Sequence, residues 1–91
     1  MDNGNDFFVF SKFYSDEEQD KMEKYCSAAF DKLQTLYPGK KIMQQGHTTL
    51  CIESDSLYAE NGIDTYEIGL INGEIPAMCR TRDSEVITFR V

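Results

Sequence analysis

Histidine, proline and tryptophan are scarce in this chain, which has one histidine, two prolines and no tryptophan. No apolar run approaches the 18 or so residues that a membrane-spanning helix needs. The first six residues carry no basic side chain and only four apolar residues, 7–10, follow them, so no secretory signal is expected. Three cysteines at irregular spacing do not form a disulfide framework, which favours a reducing, cytoplasmic location.

Positive charge is missing from a long central stretch of a chain whose net charge is −7. No lysine or arginine occurs from Ile42 to Cys79, whereas this stretch carries the acids Glu53, Asp55, Glu60, Asp64, Glu67 and Glu74. Such a surface repels phosphate, so direct binding of nucleic acid or of an anionic membrane is not expected. It would attract a basic protein surface, although acidic side chains also serve simply to keep a protein soluble.

Residues that carry chemistry are not spaced to act together. His47 and Cys51 lie four positions apart, which is about 13 Å along a strand and too far for a nucleophile and its base. The three cysteines include no closely spaced pair of the kind that holds zinc. Residues 55–60 place apolar side chains where a calcium loop needs oxygen ligands, and no glycine-rich phosphate loop occurs. We therefore expect no catalytic residue, no metal site, no cofactor and no enzymatic activity.

The length of 91 residues predicts a flexible N-terminus, residues 1–6, and one domain, residues 7–91. Residues 7–14 favour a strand because they are rich in aromatic residues. Ser15 and Glu18 form a capping-box pattern, and the helix it begins is ended by Pro38-Gly39. The spacing of the apolar residues predicts one stripe along this helix, made of Met22, Tyr25, Cys26, Ala29, Phe30, Leu33, Leu36 and Tyr37.

The residues after the helix alternate between apolar and polar in short runs that predict about five strands. Asn72-Gly73 is a strong signal for a two-residue hairpin, because both positions tolerate positive φ. The predicted class is α+β, with one long N-terminal helix packed on a twisted antiparallel sheet in two layers. The predicted order of elements is β-α-β-β-β-β-β.

This outline resembles that of the cystatins, in which an antiparallel sheet wraps around a helix. The Gln-x-Val-x-Gly loop by which cystatins enter protease clefts has no counterpart, since the nearest segment reads Met43-Gln44-Gln45-Gly46. The resemblance therefore concerns topology and implies nothing about function.

The segment from Ser54 to Tyr66 is the best candidate for a binding surface, because it places apolar residues among acids. An apolar anchor with a charged rim is typical of protein interfaces. The alternative is that Leu57 and Ile63 fold back over the sheet edge. Arg80, Arg82 and Arg90 are expected to pair with neighbouring acids across strands and not to bind phosphate. The predicted partner-binding residues are Glu53, Asp55, Leu57, Tyr58, Glu60, Asp64 and Glu67.

These features predict a non-enzymatic, acidic protein-binding domain. The leading hypothesis is an inhibitor that occupies a basic, nucleic-acid-binding site on a partner such as a nuclease, in the manner of phage anti-defence proteins (anti-CRISPR or anti-restriction). One alternative is a toxin-immunity protein, and another is a subunit that self-associates as a homodimer. The remaining alternative is a small enzyme or ligand-binding domain centred on His47.

Overall fold

A computed structural model describes residues 8–9 and 14–91 of the chain. The predicted flexible segment, residues 1–6, lies outside the described residues, as does most of the predicted first strand. The elements are β1 (Phe8–Val9), α1 (Asp16–Leu36), β2 (Ile42–Gln45), β3 (Thr49–Glu53), β4 (Ile63–Ile71), β5 (Ile75–Arg80) and β6 (Glu85–Ile87). Strands β2 to β6 pair in sequence order as an antiparallel sheet, and β1 pairs with β4. The predicted α+β class is confirmed.

Helix α1 begins where the capping box predicts. The Glu18 amide donates to Ser15 Oγ at 3.1 Å, and the Ser15 amide donates to Glu18 Oε1 at 2.9 Å. Both bonds satisfy amide groups that a helix start otherwise leaves without a partner. Five residues of the predicted stripe form the buried face of the helix: Met22, Tyr25, Cys26, Ala29 and Leu33. Phe30 is half-buried, whereas Leu36 and Tyr37, at the end of the predicted stripe, are exposed. No helix in the described ranges is long and apolar enough to cross a membrane.

The main core lies between α1 and one face of the sheet. Because side chains alternate between the two faces of a strand, every second residue of β4 reaches the helix: Tyr66, Ile68 and Leu70. Ile42 of β2, Leu50 of β3 and Met78 of β5 belong to the same layer. The opposite face carries a smaller cluster around Ala77 and Cys79.

The segment after β6 is held against the helix by one tyrosine. Tyr25 Oη donates to the Phe89 carbonyl at 2.6 Å and accepts from the Phe89 amide at 3.1 Å. Burial raises the pKa of the Tyr25 hydroxyl, so it stays a neutral donor. This contact fixes the Phe89 ring as one wall of the groove described below.

Two tight turns of the same type flank β4, one closing the β4–β5 hairpin and one at the end of the segment that leads into β4. Asn72 and Gly73 have φ of 54° and 75°, and the Glu74 amide donates to the Ile71 carbonyl at 3.0 Å. The hairpin expected from Asn72-Gly73 is therefore confirmed. Asn61 and Gly62 repeat the pattern with φ of 56° and 75°. Positive φ at both central positions is what a tight hairpin turn requires.

Candidate protein-binding loop and adjoining groove

Residues 54–62, called here the acidic loop, join β3 to β4 and are held by their own backbone and serines. The Ser54 amide donates to the Gly62 carbonyl at 2.8 Å and closes the base of the loop. Ser54 Oγ accepts from the Ser56 amide, and Ser56 Oγ accepts from the Tyr58 amide, both at 3.1 Å. Serine hydroxyls that bond the backbone two residues ahead hold a turn in one shape. The loop is thus shaped without burying the side chains at its tip.

Leu57 and Tyr58 form the tip of the acidic loop and project into solvent. Leu57 is 97% exposed and Tyr58 is 82% exposed. The alternative in which Leu57 folds back over the sheet edge is therefore wrong, while Ile63 is half-buried at the start of β4. A single exposed leucine is ordinary, but two adjacent large apolar residues on one turn form an exposed patch.

Acidic side chains flank this tip on both sides. Asp55 and Glu60 are both exposed. Glu53, at the end of β3, is also exposed and accepts from the Lys41 amide at 3.0 Å. The structure therefore brings five of the predicted residues to one end of the sheet: Glu53, Asp55, Leu57, Tyr58 and Glu60.

Asp64 does not lie on this surface. It is 4% exposed, and both of its carboxylate oxygens accept from Arg82, at 2.9 Å from Nε and 3.0 Å from Nη2. The bonds from Arg82, with a further one from the Ser54 hydroxyl, hold the pKa of the Asp64 carboxyl below its usual value. Side chains alternate between the two faces of β4, and Asp64 lies on the helix-facing side with Tyr66, which explains why Asp64 is buried. A carboxylate already paired with an arginine is not available to a partner.

Glu67 lies on the other face of the sheet and away from the acidic loop. It is half-buried and accepts from Thr49 Oγ1 at 3.0 Å across the β3–β4 pair. Of the predicted partner-binding residues, Asp64 and Glu67 are therefore the two that do not lie on the exposed surface of the loop.

The arginines next to Asp64 are also paired with acids, as the sequence predicts. Arg80 donates to Asp83 at 3.0 and 2.8 Å and also to Glu85. Hydrogen bonds from Arg80 hold the pKa of Asp83 down at about 2, and the same contact raises the pKa of Arg80. This cluster ties β5 to the turn after it and leaves little free positive charge for a phosphate.

A groove of about 370 Å³ opens beside the base of the acidic loop. Leu33 and Tyr37 place the C-terminal end of α1 along one side of it, and residues of β3 to β6 line the other side. Its apolar lining is formed by Leu33, Tyr37, Ile52, Met78, Ile87 and Phe89. Ser54 and Asp64 also line it, so the loop and the groove share a rim. Sequence patterns do not reveal the groove, because its lining comes from elements far apart along the chain.

His47 and the cysteines are not placed together. His47 is exposed and lies in the β2–β3 turn, directly after Gly46, which has a φ of 68°. All three cysteines are buried and free, and burial raises the pKa of the Cys26 thiol to about 11. Among the residues that the structure describes, no three histidine, cysteine or acidic side chains are grouped so as to hold a metal.

Comparison with known proteins yields no match, whether against family models, curated sequences or solved structures.

Proposed function

We propose that this protein is a non-enzymatic binding domain that uses the acidic loop to occupy a basic, nucleic-acid-binding site on a partner protein. The observation that carries the proposal is the exposure of Leu57 and Tyr58 at the tip of a braced loop, flanked by Asp55 and Glu60. Aromatic and apolar side chains that enter a pocket contribute most of the affinity of many interfaces. The surrounding acids select a basic partner and accelerate the encounter.

The charge of the whole chain also supports a basic partner. The net charge is −7, and no lysine or arginine lies between Ile42 and Cys79. Arg80 and Arg82 pair with acids within the fold. The acids of the loop are thus not neutralised by these arginines and are available to a partner.

Inhibition follows from occupancy of such a site. A protein surface that binds phosphates carries lysine and arginine side chains. An acidic loop bound there replaces the phosphates, so the partner loses its nucleic acid by competition. Phage anti-defence proteins that block host nucleases in the cytoplasm are of this general type, and we assign the protein to that type of activity.

The test is capture of the partner from lysate of the source cell or its host, with elution along a salt gradient. We expect a basic, nucleic-acid-handling protein in near-stoichiometric amount that leaves the column as salt rises, since salt screens charge pairs at the surface. When this protein is added to the purified partner with a labelled oligonucleotide bound, it should displace the oligonucleotide, as measured by fluorescence anisotropy. A captured partner that keeps its oligonucleotide at saturation would contradict the proposal.

Neutralising the two loop acids is expected to weaken partner binding. Replacement of Asp55 by Asn and Glu60 by Gln should lower the affinity about 10-fold to 100-fold at low salt, because rim charges steer association. The difference should shrink at about 0.5 M salt, where screening acts over a few ångströms. The free energy of unfolding should change by less than about 0.5 kcal/mol, because both side chains are exposed.

The matched control removes the same charge elsewhere. Asp31→Asn with Glu74→Gln also neutralises two exposed carboxylates, on α1 and in the β4–β5 turn. This control should retain most of the affinity. An equal loss in both double variants would attribute the effect to net charge and not to the loop.

A further inference from the structure

We propose that the groove beside the acidic loop binds a second copy of this chain, with Leu57 and Tyr58 of each copy inserted into the groove of the other. This self-association is tested on the purified chain alone, and because it covers the same tip, one copy cannot use that tip for the dimer and for the partner at the same time. Four features of the described surface support it: the apolar lining, the shared rim, the internal pairing of charges and the positions of the lysines.

The groove suits apolar side chains in size and lining. Its volume of about 370 Å³ falls within the about 300–1,000 Å³ of sites that enclose small molecules, so it can hold more than one side chain. Tyr37, at its mouth, is 49% exposed although it is a large aromatic residue. An inserted leucine and tyrosine would cover surface that the helix leaves open.

The shared rim allows the exchange to be reciprocal. Ser54 lines the groove and is also the base of the acidic loop. An anchor and its pocket that lie side by side form one self-complementary patch, which a two-fold axis can pair with itself. Such a contact closes as a dimer and leaves no unpaired anchor.

The two charged groups of the groove that are not exposed, Asp64 and Arg80, are paired within the fold. Asp64 is paired with Arg82, and Arg80 with Asp83. The groove therefore offers an inserted group no unpaired buried charge, and the occupant that fits is an uncharged one. The tip formed by Leu57 and Tyr58 meets this requirement.

Two lysines at the edge of the groove complement the acids of the loop, and they outnumber Glu53, the one exposed acid among the lining residues. Lys40 lines the groove, and Lys41 follows it at the same edge, where its amide bonds Glu53. Both lysines are exposed. Reciprocal insertion would bring Asp55 and Glu60 of one copy towards the lysines of the other. This arrangement sets opposite charges at the rim of an apolar contact, as in other protein interfaces.

Sedimentation equilibrium of the full chain tests the proposal. We expect a concentration-dependent dimer that persists at about 0.5 M salt, because burial of apolar surface is not screened as charge is. Leu57→Ser with Tyr58→Ser should raise the dissociation constant of the dimer at least about tenfold. A chain that stays monomeric at about 1 mM would overturn the proposal, even if the groove binds a small apolar probe.

A substitution of Lys40 distinguishes the dimer from the partner complex, because it should weaken only the dimer. Lys40→Glu should weaken the dimer about threefold to tenfold, because it places like charges at the rim, and Glu60→Lys in the same chain should restore it. Circular dichroism verifies that each variant is folded. Binding to a basic partner should survive Lys40→Glu, which makes the surface more acidic. Dimers that respond neither to the tip substitutions nor to the charge exchange would place the contact on another surface and refute the proposal.

Discussion

Replacement of both Leu57 and Tyr58 by serine is expected to lower the affinity for the partner protein by more than about 100-fold. Truncating a buried anchor at an interface commonly costs about 2 kcal/mol or more, and a factor of ten corresponds to about 1.4 kcal/mol. Tyr58 has few rotatable bonds for its contact area, so little entropy is lost when it is buried. The loss should appear mainly as faster dissociation, measured by surface plasmon resonance against the captured partner.

The same substitutions should leave the fold intact. Leu57 and Tyr58 are almost fully exposed, and the serines that brace the loop bond backbone groups that the substitutions retain. The free energy of unfolding should therefore change by less than about 0.5 kcal/mol. The matched control is Met43→Ser with Ile75→Ser, which removes two exposed apolar side chains outside the loop. Full affinity in the tip variant, or an equal loss in the control, would show that the loop is not the anchor.

Substitution of Asp64 by alanine is expected to destabilise the fold by about 2 kcal/mol at neutral pH. The carboxylate is buried and accepts two hydrogen bonds from Arg82, and bonds to charged groups contribute about 1.5–3 kcal/mol. The loss should be below the 3–5 kcal/mol or so of a fully buried pair, because the Arg82 side chain is 22% exposed and water can solvate it. For a domain of this size the melting temperature should fall by about 8–16 °C.

The contribution of Asp64 should depend on pH in a defined direction. Its pKa is lowered in the folded state, mainly by the hydrogen bonds from Arg82. The unfolded state therefore binds this proton first, at a pH of about 4, and the stabilisation is lost as the pH falls from there through the folded-state pKa. The difference between wild type and Asp64→Ala in urea unfolding should be full at neutral pH and should shrink below a pH of about 4.

Asp55→Ala is the matched control for this substitution. It removes an exposed aspartate close by in the sequence, so the stability should change by less than about 0.5 kcal/mol at neutral pH. An equal destabilisation by Asp55→Ala and Asp64→Ala would show that the Asp64–Arg82 pair is not what stabilises this end of the sheet.

The elements with local signals were predictable from the sequence. The capping box of Ser15 and Glu18 and the apolar spacing of the helix act within a few residues, and both appear in the structure as expected. The hairpin at Asn72-Gly73 follows for the same reason, since positive φ is a property of those two residues. The acidic loop was recognised as a segment without a strong strand or helix pattern.

The candidate site was only partly predictable, because a count of charges does not show which face of a strand each side chain occupies. The charge pattern groups Asp64 with the surface acids, yet Asp64 alternates in register with Tyr66 and Ile68 and therefore lies on the helix-facing side of β4. Its partner Arg82 lies 18 residues later, and nothing local to either residue signals the pair. The groove was not predictable at all, because helix, strands and the segment after β6 line it together.

The most direct test of the central claim, that residues 54–62 contact the partner, is photo-cross-linking from the tip of the loop. A benzophenone amino acid would replace Tyr58, and in a control chain it would replace Gln34, which is exposed on α1. We predict that, on irradiation in lysate of the source cell or its host, the residue 58 probe links to one basic, nucleic-acid-handling protein besides a second copy of the chain. Added salt should prevent the link to the partner protein, and the residue 34 probe should not form it. The same protein linked from both positions, or from residue 34 alone, would contradict the account.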